Sequence, residues 1–469
     1  MTRRLAAIAL LLLCFALPTA RAEDAASARL PERFGFTAEE ASWLLLDPGS
    51  GVELEAHLAD RPRIPASTAK LATAVAALDV LGGELRLATE LLATGAIEGG
   101  VLRGDLVLRG GGDPLLDVAD LFDLALALRQ RGVRGIGGRF LLDDGMLPRF
   151  PRIAPSEPES APYNAGVAAL TVDFARVRLV PTDPPTTVPP LFEARLVWSD
   201  RPVPPPETAR LVGDGDGAVW HIPRGGRARA LPVRDAGRHA AMLFRRLAEG
   251  LGIPLPLPVR GTTPADAVPL ARKESAPLRR IVRGMLLYSN NQVAEILGLS
   301  TSRRLIEAPP VSLEASAARI LAHLRKRLPG TDWSDARLVN HSGLGAASRL
   351  TPRQLTALLA FGDRRFRLAA LLPASGWVGT LRRRLEAGAT ALRIWAKTGT
   401  IDYASTIAGY LLPEDGRMRA FAIMLDDQRA RARYDRKPVK SAAMLQAADR
   451  WNQRARAFQD ALLARWLER

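Results

Sequence analysis

Three short polar strings constrain this chain more than any other feature of its sequence. Ser67–Lys70 reads S-T-A-K, Ser289–Asn291 reads S-N-N, and Lys397–Thr400 reads K-T-G-T. Serine with a nearby lysine, and hydroxyls beside a second lysine, are residue types that carry out nucleophilic acyl transfer. A fold that uses the three strings together has to bring three distant segments of the chain to one place.

The first string lies at a predicted helix start. Pro65 favours the first helical turn, the alanine-rich run over 68–78 propagates it, and Gly82 ends it. Ser67 and Lys70 are three positions apart and therefore share one helix face. A lysine in that position can take the serine proton once burial has lowered its pKa. A helix-capping serine with an incidental lysine is the alternative interpretation.

The third string lies on a predicted strand. Two apolar β-like runs over 406–412 and 419–425 follow it, joined by a turn over 413–416, and together they predict a three-stranded antiparallel meander. Gly399 would allow a substrate backbone to approach closely, and Lys397 would place positive charge near a bound carboxylate. The alternative is an exposed strand lysine before a turn.

The second string lies between two predicted helices. Apolar residues from Leu278 to Met285 have helical spacing after Pro277, and the helical pattern resumes at Gln292. The S-N-N string is the break between them, and a simple helix-capping turn is the alternative.

In this order the strings match the S-x-x-K, S-x-N and K-T-G motifs of penicillin-binding proteins and serine β-lactamases. Ser67 and Ser289 are 222 positions apart, whereas a compact β-lactamase places its second motif much sooner. The chain resembles the D-alanyl-D-alanine carboxypeptidase/endopeptidase family of low-molecular-mass penicillin-binding proteins, whose members carry a large insertion between the first two motifs. Four further matches support the resemblance: P-A-S-T-x-K at 65–70, D-L-x-L-x-G-G-G-D-P at 105–114, S-G-L at 342–344 and G-x-x-G-T-L at 376–381.

The resemblance implies an α/β fold with a discontinuous catalytic domain. Residues 23–82 and 272–469 would form a penicillin-recognising serine transpeptidase-like domain, an antiparallel sheet with helices on both faces. Residues 83–271 would form an inserted, mostly-β region of one or two small domains, with strands over 88–108 and a helix over Val118–Gln130. Proline density later in this region predicts short strands and loops rather than a helical lobe.

The resemblance also implies a serine-type D-alanyl-D-alanine carboxypeptidase that also acts as an endopeptidase on D-Ala cross-links of peptidoglycan. Ser67 would form the acyl-enzyme, Lys70 would take its proton, and Ser289 would relay a proton to the leaving amine. Asn291 would bind the substrate backbone and Lys397 would support the proton network. Substrate contacts would come from Thr398, Gly399 and Thr400, with β-lactams as inhibitors of the same site.

One departure from the family pattern concerns the substrate. The family shows D-G-S-G-L-S-R where this chain has N-H-S-G-L-G-A over 340–346. Ala346 replaces the arginine that family members use near the stem peptide. Arg349, three residues later, is the candidate replacement, and the stem-peptide preference stays open.

The N-terminus predicts export. Arg3 and Arg4 precede an apolar stretch from Leu5 to Leu17 that is too short to span a bilayer, and an A-x-A site ends at Ala22. We therefore expect a signal peptide over residues 1–22, no transmembrane anchor, and a periplasmic mature protein. Cys14, the only cysteine, follows Leu13 rather than a small residue, which argues against lipidation.

Composition limits the partners. The formal net charge is +16, but the basic residues are scattered and no nucleic-acid fold signature is present, so we expect no nucleic-acid partner. Nonspecific attraction to an anionic envelope is the preferred interpretation of the charge. The five histidines show no metal-ligand spacing, so neither metal nor cofactor is expected. A β-lactamase or esterase, and a non-catalytic wall-binding protein, are the competing functions.

Overall fold

The fold is described from a computed structural model that covers residues 29–386 and 388–468. The expected signal peptide, with Cys14, lies outside these residues. The described helices are α1 Leu30–Arg33, α2 Lys70–Leu81, α3 Val118–Gln130, α4 Ala236–Gly250, α5 Leu278–Tyr288, α6 Asn291–Ile306, α7 Leu313–Arg327, α8 Pro352–Phe366, α9 Gln428–Asp435 and α10 Ala442–Leu467. None of them has the length and apolar character that crossing a membrane requires.

The described strands belong to five sheets. In chain order they are β1 Ala41–Leu46, β2 Glu53–His57, β3 Ala88–Ala93, β4 Ile97–Glu98, β5 Val101–Leu102, β6 Leu106–Gly110, β7 Gly135–Ile136, β8 Phe140–Asp143, β9 Arg176–Val180, β10 Thr186–Val188, β11 Arg195–Ser199, β12 Arg210–Val212, β13 Val219–Pro223, β14 Ala230–Pro232, β15 Val259–Arg260, β16 Val268–Glu274, β17 Ile394–Ile401, β18 Ala404–Leu411 and β19 Arg419–Asp426.

The part of the chain that carries the first and third strings is built on one antiparallel sheet in the order β17-β18-β19-β1-β2. Helices α2, α5 and α8 pack on one face through a core that includes Val75, Ile281 and Leu358. Helix α10 covers the other face through Phe458 and Trp466. The expected antiparallel sheet with helices on both faces is therefore confirmed, and the meander that carries K-T-G is β17-β18-β19.

Helix α10 buries one apolar side along its length. Ser441 caps its N-terminus by accepting a hydrogen bond from the Met444 N–H, as its position before the helical run predicts. Trp451 and Leu462 lie in the same core as the back of the sheet. This helix therefore packs in the core of the protein.

The region between the first two motifs contains the remaining four sheets. Its largest has the order β15-β8-β6-β3-β16 and packs against α3 and α4 through a core that includes Phe140 and Phe244. Two three-stranded sheets, β10-β9-β14 and β11-β13-β12, share a second core around Trp220. Helix α3 has the bounds that the sequence predicts, Val118–Gln130.

The expectation of short strands and loops in the later, proline-rich part of this region needs one correction, because α4 is a 15-residue helix. Asp235 caps it by accepting from the Arg238 N–H, and it buries Leu243 and Phe244. The tertiary core stabilises this helix despite the nearby prolines.

Candidate active site

Ser67 and Lys70 meet at the entrance to α2. A 3-10 turn over Ala66–Ala69 carries the serine, and α2 begins at Lys70. The Lys70 Nζ lies 3.0 Å from the Ser67 Oγ, so the spacing of three does bring the two groups into hydrogen-bond contact. The turn is held from within because the Thr68 hydroxyl donates to the Pro65 carbonyl at 2.6 Å.

Lys70 is completely enclosed. Besides Ser67, its Nζ has two oxygen partners, the Asn291 Oδ1 at 2.8 Å and the Ser342 carbonyl at 2.8 Å. Burial of the ammonium lowers the pKa of Lys70 to about 7, and the Glu295 carboxylate acts in the opposite direction. The first and second strings therefore converge on one amine that can exist in its neutral form near neutral pH.

Glu295 is a site residue that the sequence reasoning missed. It lies on α6, one turn after Asn291, and its side chain is fully buried. Its carboxylate accepts from the His341 N–H at 3.0 Å and from the Ser342 N–H at 2.9 Å. Burial raises the pKa of Glu295, while these donors and Lys70 act against that rise. A glutamate four positions after Asn291 in an otherwise apolar helical run was the available signal.

The loop that contains S-G-L accommodates its unusual histidine by packing it against a glycine. The His341 imidazole occupies the space beside Gly298, so that a Cβ on Gly298 would be 2.0 Å from the ring Cγ. Its Nε2 is 2.8 Å from the Ser316 Oγ, and burial lowers the pKa of His341 to about 3. The histidine is therefore a neutral, buried part of the structure behind the site.

The third string lies on β17, directly against the serine turn. A Cβ on Gly399 would be 2.8 Å from both the Ser67 N and the Pro65 carbonyl oxygen. Thr406, paired with Gly399 across the sheet, donates its hydroxyl to the same Pro65 carbonyl at 2.8 Å. Glycine is needed at this position because the chain's own backbone approaches so closely.

Lys397 and Thr398 occupy different environments on β17. Lys397 is fully buried and donates to the Thr398 carbonyl, and burial together with the positive Lys70 holds its pKa well below the ordinary value. The Thr398 hydroxyl donates to the Thr380 Oγ1 at 2.9 Å, whereas Thr400 is exposed. Thr380 belongs to the G-x-x-G-T-L string, and its contact with K-T-G was not anticipated.

Ser289 ends α5 in a left-handed conformation, with φ of +56°. Asn290 then caps α6 by accepting from the Val293 N–H at 3.2 Å. The break between two helices is thus confirmed. Across the part of the chain that is described, the Ser289 hydroxyl has no hydrogen-bond partner, so its predicted part in proton transfer is not visible as a contact.

The inserted region reaches the site through its backbone. The Tyr163 carbonyl accepts from the Asn291 Nδ2 at 3.1 Å, which fixes the orientation of the amide that faces Lys70. A backbone carbonyl carries no side-chain signature, so no sequence signal pointed to Tyr163. Arg349, by contrast, donates to the Ala346 and Ser348 carbonyls at 2.6 and 2.7 Å and is therefore engaged on its own loop.

Over residues 29–386 and 388–468, no group of three or more histidine, cysteine, aspartate or glutamate side chains is arranged to hold a metal ion.

The family model for the D-Ala-D-Ala carboxypeptidase 3 (S13) family matches residues 37–192 and 223–448. The carboxypeptidase DacB of Mycolicibacterium smegmatis is 30% identical over 403 residues, which cover 81% of this chain and 75% of that protein.

Among solved structures, penicillin-binding protein 4 (dacB) from Haemophilus influenzae is similar with a TM-score of 0.76 at 21% identity, covering 94% of this chain and 99% of that one. A predatory endopeptidase from Bdellovibrio bacteriovorus, in complex with an immunity protein, is similar with a TM-score of 0.53 at 15% identity, covering 90% and 92%. The chain belongs to the D-Ala-D-Ala carboxypeptidase 3 (S13) family and is a serine-type D-Ala-D-Ala carboxypeptidase.

Proposed function

We propose that Ser67 is the nucleophile and Lys70 the base of this carboxypeptidase. The observation that carries the assignment is the 3.0 Å contact between the Lys70 Nζ and the Ser67 Oγ, on an amine whose pKa burial lowers to about 7. A neutral amine has two hydrogens and one lone pair. The hydrogens serve the Asn291 Oδ1 and the Ser342 carbonyl, which leaves the lone pair for the proton of the Ser67 hydroxyl.

The acylation step then follows from these positions. The Ser67 Oγ bonds to the carbonyl carbon of the penultimate D-alanine while its proton passes to Lys70, and the C–N bond to the terminal D-alanine breaks. A proton returns to the leaving amine, with Ser289 as the proposed relay. Water then attacks the ester, which releases the shortened peptide and restores Ser67.

The oxyanion of the tetrahedral intermediate would be held by the N–H groups of Ser67 and Thr400. The close packing of Gly399 on the Ser67 N supports this arrangement, because it brings the end of β17 alongside the serine. One such donor typically contributes about 10²–10³ in rate. Thr398, Gly399 and Thr400 would bind the terminal carboxylate, with Lys397 behind them in the proton network.

Asn291 has a second proposed role in binding the substrate backbone. Its Nδ2 donates to the Tyr163 carbonyl, so the inserted region orients the amide. A substrate amide that approaches between β17 and the second motif would share this group.

Endopeptidase cleavage of D-Ala cross-links is the second proposed activity. It uses the same acylation by Ser67 with a larger leaving group, and the similar Bdellovibrio structure is that of an endopeptidase. The alternatives from the sequence were a β-lactamase or esterase acting through Ser67 and a non-catalytic wall-binding protein, and membership of the carboxypeptidase family argues against both.

One experiment separates these functions. The purified protein is incubated with a labelled penicillin, and separately with a pentapeptide that ends in D-Ala-D-Ala. We expect a long-lived covalent adduct together with D-alanine release. Rapid turnover of the drug would instead indicate a β-lactamase, and no reaction with either compound would indicate a binding protein.

We further propose that the protein is exported with cleavage before Glu23, acts in the periplasm on peptidoglycan, and associates electrostatically with the anionic envelope. The basic N-terminus followed by a short apolar stretch supports export. The net charge supports the association, because +16 for the whole chain becomes +13 when Arg3, Arg4 and Arg21 are removed with the signal peptide (16 − 3 = 13). Intact-mass measurement of the exported protein tests the first point, and a retained N-terminus or a lipidated Cys14 would contradict it.

The domain division is proposed as well, with residues 23–82 and 272–469 forming the catalytic domain and 83–271 the insertion. Residues 272–274 are the end of β16, which pairs with β3 of the inserted region, and this pairing supports moving the start of the second catalytic segment to just after Glu274.

A further inference from the structure

Two large aromatic side chains project into solvent beside the candidate site. Trp377 is 70% exposed and Tyr288 is 71% exposed. Tryptophan and tyrosine are enriched among the residues that contribute most to binding energy at interfaces. The acylation steps proposed above use neither of them.

Both residues lie on the same edge of the site. Tyr288 is the last residue of α5 and directly precedes Ser289. Trp377 lies in the loop Gly376–Leu381, whose Gly379 packs on the end of α5. A Cβ on Gly379, which has φ of +64°, would be 2.4 Å from the Leu287 carbonyl oxygen. The loop therefore holds Trp377 beside the helix end that carries Tyr288.

The same loop also contacts the K-T-G strand. The Thr398 hydroxyl donates to the Thr380 Oγ1 at 2.9 Å, three residues after Trp377. The loop thus connects the end of α5 to the part of β17 where the proposed function places the substrate's terminal carboxylate.

The chemistry of the substrate indicates which part of it lies at this edge of the site. In a D-Ala-D-Ala peptide, the terminal carboxylate and the leaving amine belong to the same residue. A carboxylate at Thr398 therefore places the leaving group on the Thr398–Thr380 side of Ser67. When the leaving amine belongs to a second stem peptide, as in a cross-link, the remainder of that peptide has to extend past Thr380.

The loop is also positively charged where a peptide carrying carboxylates would lie. Arg382 and Arg383 follow Leu381 and are exposed, and neither forms an ion pair with any residue that the structure describes. Peptidoglycan stems carry free carboxylates, so an anionic peptide suits this edge in both charge and apolar contact.

We propose that Trp377 and Tyr288 bind the acceptor stem peptide of a cross-link, and that this pair makes the enzyme an effective endopeptidase. We call the two residues the leaving-side pair. The inference rests on the proposed function, because it takes Ser67 as the nucleophile and Thr398 as a carboxylate contact. Release of a single D-alanine leaves the pair unoccupied, so the pair discriminates between the two reactions.

The test compares three substrates on the full-length mature protein: a labelled penicillin, a D-Ala-D-Ala pentapeptide, and a sugar-free cross-linked dimer of the same stem peptide. The variants are Trp377→Ala, Tyr288→Ala, the double variant and the conservative Trp377→Phe. Phe122→Ala is the matched control, because Phe122 is also an exposed aromatic, at 40%, but lies on α3 in the inserted region.

We expect Trp377→Ala to lower kcat/KM for the dimer by about tenfold, mainly through KM, with a larger loss in the double variant. Penicillin labelling and pentapeptide hydrolysis should stay within about twofold of the wild type in the same assays. Trp377→Phe should retain most of the dimer activity, and Phe122→Ala should change none of the three reactions.

Equal losses on the dimer and the pentapeptide, or no loss on the dimer, would overturn the proposal. A wild-type enzyme that releases D-alanine but leaves the dimer intact would refute this inference alone. A wild type that neither reacts with penicillin nor releases D-alanine would refute the proposed function as well.

Discussion

The protonation of Lys70 should set the acid limb of the acylation rate. Only the neutral amine can take the Ser67 proton, and burial lowers the pKa of Lys70 to about 7. The fraction of neutral amine therefore falls about tenfold per pH unit below that value. Between pH 8 and pH 5.5 the rate of acylation by a penicillin should fall about 30-fold.

Substitution of Glu295 tests the same prediction through a second variant. The Glu295 carboxylate favours the protonated form of Lys70, so Glu295→Gln should lower the pKa of Lys70 and move the acid limb to lower pH. The maximal acylation rate at high pH should fall too, because glutamine offers one acceptor oxygen for the two backbone N–H groups of His341 and Ser342. Glu314→Gln, at an exposed glutamate on α7, is the matched control and should change neither quantity.

The assay is stopped-flow acylation by a chromogenic or fluorescent β-lactam across pH 5 to 9, with thermal unfolding at each pH to confirm that the protein remains folded. A flat profile over this range would refute Lys70 as the base. If Glu295→Gln lowers the maximal acylation rate but leaves the pH of the acid limb unchanged, Glu295 has only a structural role.

Three further predictions concern single side chains. Lys70→Ala should lower acylation far more than it lowers thermal stability, and equal losses would contradict its assignment as base. Gly298→Ala should lower the free energy of unfolding by about 1–3 kcal/mol, because the added Cβ would overlap the His341 ring. In the control Gly330→Ala the added Cβ meets nothing within 4 Å. Denaturant titrations should therefore show almost no change in stability for the control. Arg349→Ala should not change the ratio of kcat/KM for diaminopimelate-bearing peptides to that for neutral-side-chain peptides. The reason is that the Arg349 guanidinium donates its hydrogen bonds to carbonyls of its own loop. A loss of kcat/KM on the acidic peptide alone would contradict this prediction.

The local environment of each motif could be predicted from the sequence because local rules decide it. The spacing of Ser67 and Lys70 places both on one side of a helix start, and the apolar runs around Lys397 form the expected meander. The family resemblance supplied the convergence of the three strings, which spacing alone could not establish.

The supporting contacts could not be predicted because they join backbone atoms from distant segments. Neither the Tyr163 carbonyl at Asn291 nor the Ser342 carbonyl at Lys70 depends on residue type at the accepting position. Glu295 did carry a signal, a buried charge in an apolar helix, but its partners are main-chain N–H groups. Helix α4 was not predicted, because the expectation for this later part of the inserted region rested on its proline density alone.

The most direct test of the whole account is the site of covalent attachment by penicillin. Wild-type protein and Ser67→Ala are incubated with the drug, and their intact masses and proteolytic peptides are compared. We expect one adduct on the wild type, located on the peptide that contains Ser67, and none on a folded Ser67→Ala variant. An adduct that persists on Ser67→Ala, or that maps to another residue, would contradict the assignment of the nucleophile and the mechanism built on it.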